Sequence, residues 1–385
     1  MPEAMLGFLK RGPAVPPGAN VEFPVYGDDG GAFAALKHRR VLIYWPHGFG
    51  DFVHLSYVVP LLEPSNTYFI TRYGDDFVHL YDEGEIVRPL LSGTRRIGDG
   101  SELGIPPHGG LDVERSPNRV ERFVLPEALK RRVEAAGIDT VLASHYREMT
   151  GRTPYPWHTK ARYLVHKLVA PERIAQFDLA RPLRSSLALR APAEVSARIE
   201  ARLRAFVAPG ERLYVVSSGG HTQLDKIWPE EQVAAFAREV RSRDPRARVL
   251  TVDERTSAAI GRERDLAPTT TDLFADLDEA FAHVLLCIAR AAHAYVGVPA
   301  GPLHTALAIG ERPIVGIWLA HWPEYYDEPA PSAIHLVGPN VYRAKLDQRI
   351  AAYTKKQASA LRYRIVAFRE RMPLASDVLD ALASL

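Results

Sequence analysis

Short apolar runs rich in β-branched and aromatic residues alternate along this chain with stretches whose apolar positions recur at helical spacing. That alternation predicts α/β domains built on parallel sheets. In the first block, residues 41–45 read as a strand, 51–62 as a helix, 67–71 as a second strand and 139–144 as a later one. The stretch 93–116 between them, rich in glycine and proline, reads as an irregular insertion. A second block begins with a helix over 194–206 and a strand over 213–217. A helix starting near Pro229, its apolar side formed by Val233, Phe236 and Val240, leads to a strand over 248–252. The unit then repeats. Leu277, Phe281, Val284, Leu285 and Ile288 share a helical face, followed by a strand over 294–298, a helix over 301–309 and a strand over 313–318.

These blocks divide the chain into a Rossmann-like domain over 1–190, opened by an arm over 1–38, and a second Rossmann-like domain over 191–345. Helical patterns over 346–371 and 375–385 have no evident strand after them, and we expect them to cross back onto the first domain.

Composition narrows the function. With 48 Lys and Arg against 46 Asp and Glu, the net charge of +2 supplies no field for holding nucleic acid, so any electrostatic site must be local. The one cysteine, Cys287, excludes an internal disulfide and a four-cysteine metal site, which fits a reducing cytoplasm. The start of the chain lacks the order of a secretory signal. Charged and histidine residues interrupt the most apolar stretch, 280–298, so no membrane span is expected, although work at the inner membrane surface stays open.

Three strand–loop–helix segments carry candidate chemistry. In the first, the strand over 41–45 runs through Gly48 and Gly50 to Asp51, at the edge where open α/β sheets place ligands. Asp51 is either a helix N-cap or an acid able to take a proton from a substrate hydroxyl. A third glycine is missing, so this is not the dinucleotide fingerprint. In the second, Ser217, Ser218, Gly219 and Gly220 offer hydroxyls and accessible N–H groups, and Lys226 is either a solvated loop lysine or a point charge for a diphosphate. In the third, backbone donors of Gly301, Leu303 and His304 open a helix that could face an anion, with the His304 ring either packed or donating to a phosphate.

The order and setting of these segments resemble the bacterial heptosyltransferases, glycosyltransferase family 9. The match lies in Gly50-Asp51-Phe52-Val53-His54, in Lys226-x-Trp228-Pro229, and partly in Gly301, His304 and Ala308; residues 1–38 and 93–135 lie outside it. The resemblance implies a GT-B-type α/β fold, two Rossmann-like domains facing across a cleft. It implies inverting, metal-independent transfer of a sugar, a heptose or another hexose-like sugar, from a nucleotide-diphosphate donor, ADP-linked in the family. The acceptor would be a glycan or lipid-linked hydroxyl, as in lipopolysaccharide biosynthesis. Asp51 would be the base, Lys226 would hold the diphosphate, and neither a cofactor nor a metal is expected. The sequence departs from the family at Pro299, where an Asp that binds sugar hydroxyls usually stands; a proline side chain accepts no hydrogen bond.

Two other readings use the same scaffold: a nucleotide-sugar epimerase and a non-catalytic sugar-nucleotide binding protein. Secondary candidates have plain alternatives. His158, Lys160 and Arg162 either grip an anionic acceptor or form a solvated basic face. Asp253 and Glu254 either hold a ribose or face water. The aromatic stretch 318–326, with His321 and Trp322, either closes over the donor or packs inside the protein.

Overall fold

The computed structural model describes the second half of the chain almost continuously, over 193–219, 224–252, 267–274, 281–320, 322–323, 326–341 and 363–385. In the first half it describes 41–45, 67–71, 88–89, 113–115, 121–123, 140–143 and 181–185, with residues 50, 53–54, 56–57 and 161. Elements are numbered among these residues.

Strands β1 (Val41–Trp45), β2 (Thr67–Thr71), β3 (Arg88–Pro89) and β6 (Thr140–Ala143) form a parallel sheet in the order β3-β2-β1-β6. A separate antiparallel pair, β4 (Val113–Arg115) and β5 (Glu121–Phe123), corrects part of the expected irregular insertion: residues 113–115 are paired. Three-residue strands are too short to show a period in sequence.

The second sheet has six parallel strands in the order β12-β11-β10-β9-β7-β8. They are β7 (Arg212–Ser217), β8 (Ala247–Thr251), β9 (Ala294–Gly297), β10 (Ile314–Trp318), β11 (Ala333–Val337) and β12 (Ile365–Ala367). Helices cover both faces, so the central strands read as continuous apolar runs. On one face Leu213 and Val215 pack with Ile199 and Leu203 of α1 (Ala193–Phe206), Leu285 and Ile288 of α4 (Phe281–Ala291), and Leu303 and Leu307 of α5 (Gly301–Ile309). On the other, Tyr214 and Val216 meet Val233, Phe236 and Val240 of α2 (Glu230–Arg243) and Val378 and Leu379 of α6 (Ala375–Ala383). A short helix, α3 (Thr270–Phe274), follows β8. The period-two alternation of β7 thus feeds two cores.

The C-terminal residues depart from expectation. Residues 365–367 form a strand that adds to the second sheet, and α6 packs on α2 of the same domain instead of crossing to the first. Its apolar side, Ala375, Val378, Leu379 and Ala381, matches the face left open beside α2, and the backbone N–H of Ala375 donates to Gln232 Oε1 at 3.1 Å. Residues 342–362, the rest of that expected crossing, lie outside the described residues. Among the described residues no helix is long and apolar enough to cross a membrane.

The order of strands sets the position of the site. From β7 the chain moves outward to β8, then returns to lay β9 on the other side of β7, so the direction of winding reverses between β7 and β9. Open parallel sheets bind ligands beyond the carboxyl ends of strands at such a reversal. The last residues of these two strands, Ser217 and Gly297, are paired neighbours there.

Candidate functional site

At this reversal the end of β7 is shaped by two close approaches. A Cβ on Gly297 would lie 2.5 Å from Ser217 Oγ, so the serine hydroxyl occupies space that only glycine leaves. Ser217 is 1% exposed and its Oγ has no hydrogen-bond partner among the described residues. A buried hydroxyl without a partner is unusual in a folded protein. The carbonyl of Ser218 accepts the backbone N–H of Trp228 at 2.8 Å, which folds the 3₁₀ turn Leu224–Lys226 back towards the strand end.

Trp228 is the anchor of that turn. It is fully buried, and its indole N–H donates to the carbonyl of Pro373 at 2.9 Å. Pro229 occupies the N-cap position of α2, one residue before the helix position expected for it. Lys226, half-buried, holds its ammonium 5.8 Å from the centroid of the Tyr326 ring, within cation–π range. Gly219 lies beside Ile227 in the same loop, and Gly220 lies outside the described residues.

α5 begins at Gly301 with no side-chain cap from Ala300, and it ends at Gly310, whose φ of 64° favours glycine. The Gly301 and Leu303 amides belong to the first turn, while Pro302 has none to offer. The Leu303 side chain is fully buried in the core, so only its backbone is available to a ligand. His304 is 4% exposed, and its Nδ1 lies 2.9 Å from both carboxylate oxygens of Asp327. Its ring is packed and oriented from that side.

The first segment arrives at the same place. A Cβ on Gly50 would stand 2.6 Å from His304 Cδ2 and 3.1 Å from the Gly301 nitrogen, so the loop after β1 lies directly against the first turn of α5. His54, 1% exposed, brings its ring centroid within 4.6 Å of that of His304, and its Nδ1 lies 3.8 Å from Asp327 Oδ1. Tyr326 stacks on His304 at 6.2 Å with an interplanar angle of 13°. Gly50, Gly301, His304, Tyr326 and Lys226 therefore form one connected wall, drawn from all three sequence segments.

The floor of this wall is anionic. Asp327 and Glu328 are 1% and 2% exposed; Glu328 accepts the backbone N–H of Leu183 at 2.9 Å, and Tyr363 donates its hydroxyl to the Asp327 carbonyl at 2.8 Å. Burial first, then the charges of Asp327 and Glu328, push the Tyr57 phenol well above its usual range, so it stays neutral. Ser56 and Ser185 share a hydrogen bond of 2.6 Å that ties the first-segment helix to residues 181–185.

Several sequence expectations fall outside the described residues: Asp51, Gly220, His158, Lys160, Arg162, His321, Asp253 and Glu254. In the aromatic stretch, Trp318 and Trp322 are buried in the core, 0% and 6% exposed, and among the described residues Tyr326 is the one that reaches the wall. His54 stood unassigned inside the first motif, and Asp327 was missed. Its signal was available: two adjacent acids, Asp327-Glu328, directly after an aromatic loop beyond a strand. A shallow cavity of about 350 Å³ lies at the opposite, amino-terminal edge of the sheet, among Arg212, His293 and Arg312. Strand topology, not cavity size, points to the carboxyl edge.

No protein-family model matches the chain, and no curated protein sequence does. Among solved structures it is similar to a family 9 glycosyl transferase from Veillonella parvula, with TM-score 0.55 and 12% identity over 91% of this chain and 97% of that one. It is also similar to the ADP-heptose lipopolysaccharide heptosyltransferase II of E. coli, with TM-score 0.48 and 14% identity over 90% of this chain and 98% of that one. The fold is that of the GT-B glycosyltransferases, with Rossmann-like α/β sheets.

Proposed function

We propose that this protein is a glycosyltransferase that moves a sugar from a nucleoside-diphosphate donor to a hydroxyl acceptor with inversion, by a single displacement. The observation that carries the reading is the meeting of Gly50, His304, Tyr326 and Lys226 at the reversal of the second sheet, where the buried Ser217 hydroxyl has no partner among the described residues. The shared GT-B fold supports it.

In this mechanism Asp51, next to Gly50 in the chain, accepts the proton of the acceptor hydroxyl. The acceptor oxygen bonds to the anomeric carbon as the bond from that carbon to the diphosphate oxygen breaks. The nucleoside diphosphate leaves with both electrons of that bond. A positioned carboxylate base supplies roughly 10² to 10⁴-fold of rate. The departing charge is met by the Lys226 ammonium, the Ser217 and Ser218 hydroxyls, the Gly219 and Gly220 amides and the N-terminal donors of α5, so no metal is needed between the phosphates.

Pro299 and Ala300, in the turn between β9 and α5, present no side-chain acceptor to a sugar hydroxyl. The donor sugar is accordingly selected by other groups, and a heptose is not singled out. An acceptor presented at a membrane surface, such as a growing lipid-linked glycan, is compatible with a protein of this kind working in the cytoplasm.

The test is a calorimetric binding screen of the full chain against ADP, UDP and GDP and their sugars, with and without chelator, beside Lys226→Ala. Selective binding of one nucleotide, unaffected by chelator and weakened at least tenfold in the variant, is expected. If no nucleoside diphosphate binds, the reading fails. If one binds but Asp51→Asn leaves turnover unchanged, the assignment of the base fails alone.

A further inference from the structure

Three side chains from distant parts of the chain, His54, His304 and Asp327, meet in the interior with their ligating atoms all within 4.8 Å of one another. They come from the first-segment helix, the first turn of α5 and the loop beyond β10. All three are at least 95% buried. We propose that they form a site for a divalent transition-metal ion.

The spacing fits. Zinc–nitrogen and zinc–oxygen bonds of about 2.0–2.1 Å in a tetrahedron hold neighbouring ligand atoms about 3.3 Å apart. Two edges of the triangle, 2.9 Å from His304 Nδ1 to each Asp327 oxygen and 3.8 Å from His54 Nδ1 to Oδ1, lie on either side of that spacing, and the edge between the two rings is within 4.8 Å. Small side-chain adjustments would equalise them around an ion.

Charge argues the same way. A buried carboxylate is strongly unfavourable without a positive partner. Among the described residues, the ion-pairing partners of Asp327 are these two imidazoles and no lysine or arginine. A divalent cation there would neutralise the buried carboxylate and accept a lone pair from each ring.

The donor set selects the kind of ion. Two imidazoles and one carboxylate suit zinc, iron(II) or cobalt(II), whereas magnesium and calcium prefer oxygen ligands throughout. Three protein ligands leave a fourth position open. Because the ion is held on the Nδ1 side of His304, it fixes that ring, and with it the first turn of α5, against the helix that carries His54. The site is therefore a positioning device that joins three segments behind the cleft wall, and it requires no metal between the donor phosphates.

The experiment uses the full chain, purified without a histidine tag, stripped with a chelator and titrated with Zn²⁺ and Co²⁺. Elemental analysis after desalting should give about one ion per chain, and the cobalt form should show visible d–d absorption of a tetrahedral or five-coordinate nitrogen–oxygen site. His54→Gln and Asp327→Asn should each weaken binding at least tenfold, with circular dichroism confirming that each variant is folded. A wild-type protein that retains no metal after exposure to Zn²⁺ overturns the proposal. Metal retained equally by a folded His54→Gln overturns it too, by placing the ion elsewhere. Nucleotide binding is measured on the same samples: metal bound without nucleotide upholds this site and defeats the glycosyltransfer reading, and nucleotide bound without metal does the reverse.

Discussion

Gly50 stands against His304 so closely that a methyl group on its Cα would lie 2.6 Å from the imidazole Cδ2. Neither partner has room to retreat, since His304 is held by two 2.9 Å contacts to the Asp327 carboxylate and backed by Tyr326. Gly50→Ala should therefore push the loop after β1 away from α5. We expect about 1–3 kcal/mol of lost stability in urea unfolding, as for other overpacked positions, together with weaker nucleotide binding. An alanine variant as stable as the wild type would show that this contact is loose.

Ser217→Ala should separate stability from ligand binding. The serine Oγ is buried without a partner among the described residues, so its removal leaves none of them stranded. Thermal unfolding is expected to rise, by a change of order 1 kcal/mol, while affinity for the donor nucleotide falls. A drop in stability would mean that the hydroxyl already has a partner in the free protein.

Trp228→Phe tests how the Lys226 loop is held. Phenylalanine fills much of the buried volume but cannot donate to the Pro373 carbonyl. Leaving that carbonyl unpaired should cost about 1–3 kcal/mol. Because Trp228 also bonds to Ser218 through its backbone, the loop should loosen, and hydrogen exchange over 224–228 should quicken relative to the core of α2.

His335 makes stability depend on pH. Its Nδ1 accepts the Trp318 indole N–H at 3.0 Å, and burial lowers its pKa to about 4 against a weaker upward pull from Asp327. The unfolded chain takes up this proton near 6.5 and the folded protein does not, so the stabilising contribution is complete above that pH. It is lost as pH falls from about 6.5 to about 4, by up to roughly 3 kcal/mol. Urea unfolding at pH 7.5, 6 and 5 should show this slope in the wild type and a flatter one in His335→Gln.

Gly316→Ala should act on the same pair from the side. A Cβ there would lie 2.7 Å from Trp318 Nε1 and 3.0 Å from His335 Nδ1, on top of their hydrogen bond. Both rings are fully buried, so we expect a loss of at least about 2 kcal/mol, read by chemical denaturation.

What the sequence made legible was whatever had a strong local period. Strands β7 to β10 lie within a residue or so of their expected bounds because their apolar runs are broken by clear turns. β11 and β12 were missed for different reasons: β11 follows a proline-rich loop, and β12 is three residues long with an exposed Val366. At the candidate site, the motif residues Ser217, Lys226 and His304 lie at the carboxyl edge of the second sheet. The motifs did not reveal Asp327, because its role depends on a contact with a residue 23 positions earlier. They also left His304 open between packing and ligand binding, and its Nδ1 lies against that same carboxylate. His54 is similar: its neighbour is 250 residues away in sequence, and no periodicity encodes that distance.

The bond from Trp228 to Pro373 joins residues 145 positions apart. A ribosome that has just released the end of β7 and the Lys226 turn must add all of those residues before the indole finds its acceptor. Until then the turn lacks its brace, and β9, the partner of β7 at the site, is itself about 80 residues behind. The nascent protein would thus acquire an ordered Lys226 turn only after most of the second domain has been made. Premature termination anywhere before residue 373 should yield chains that bind no nucleotide even where the sheet itself has formed.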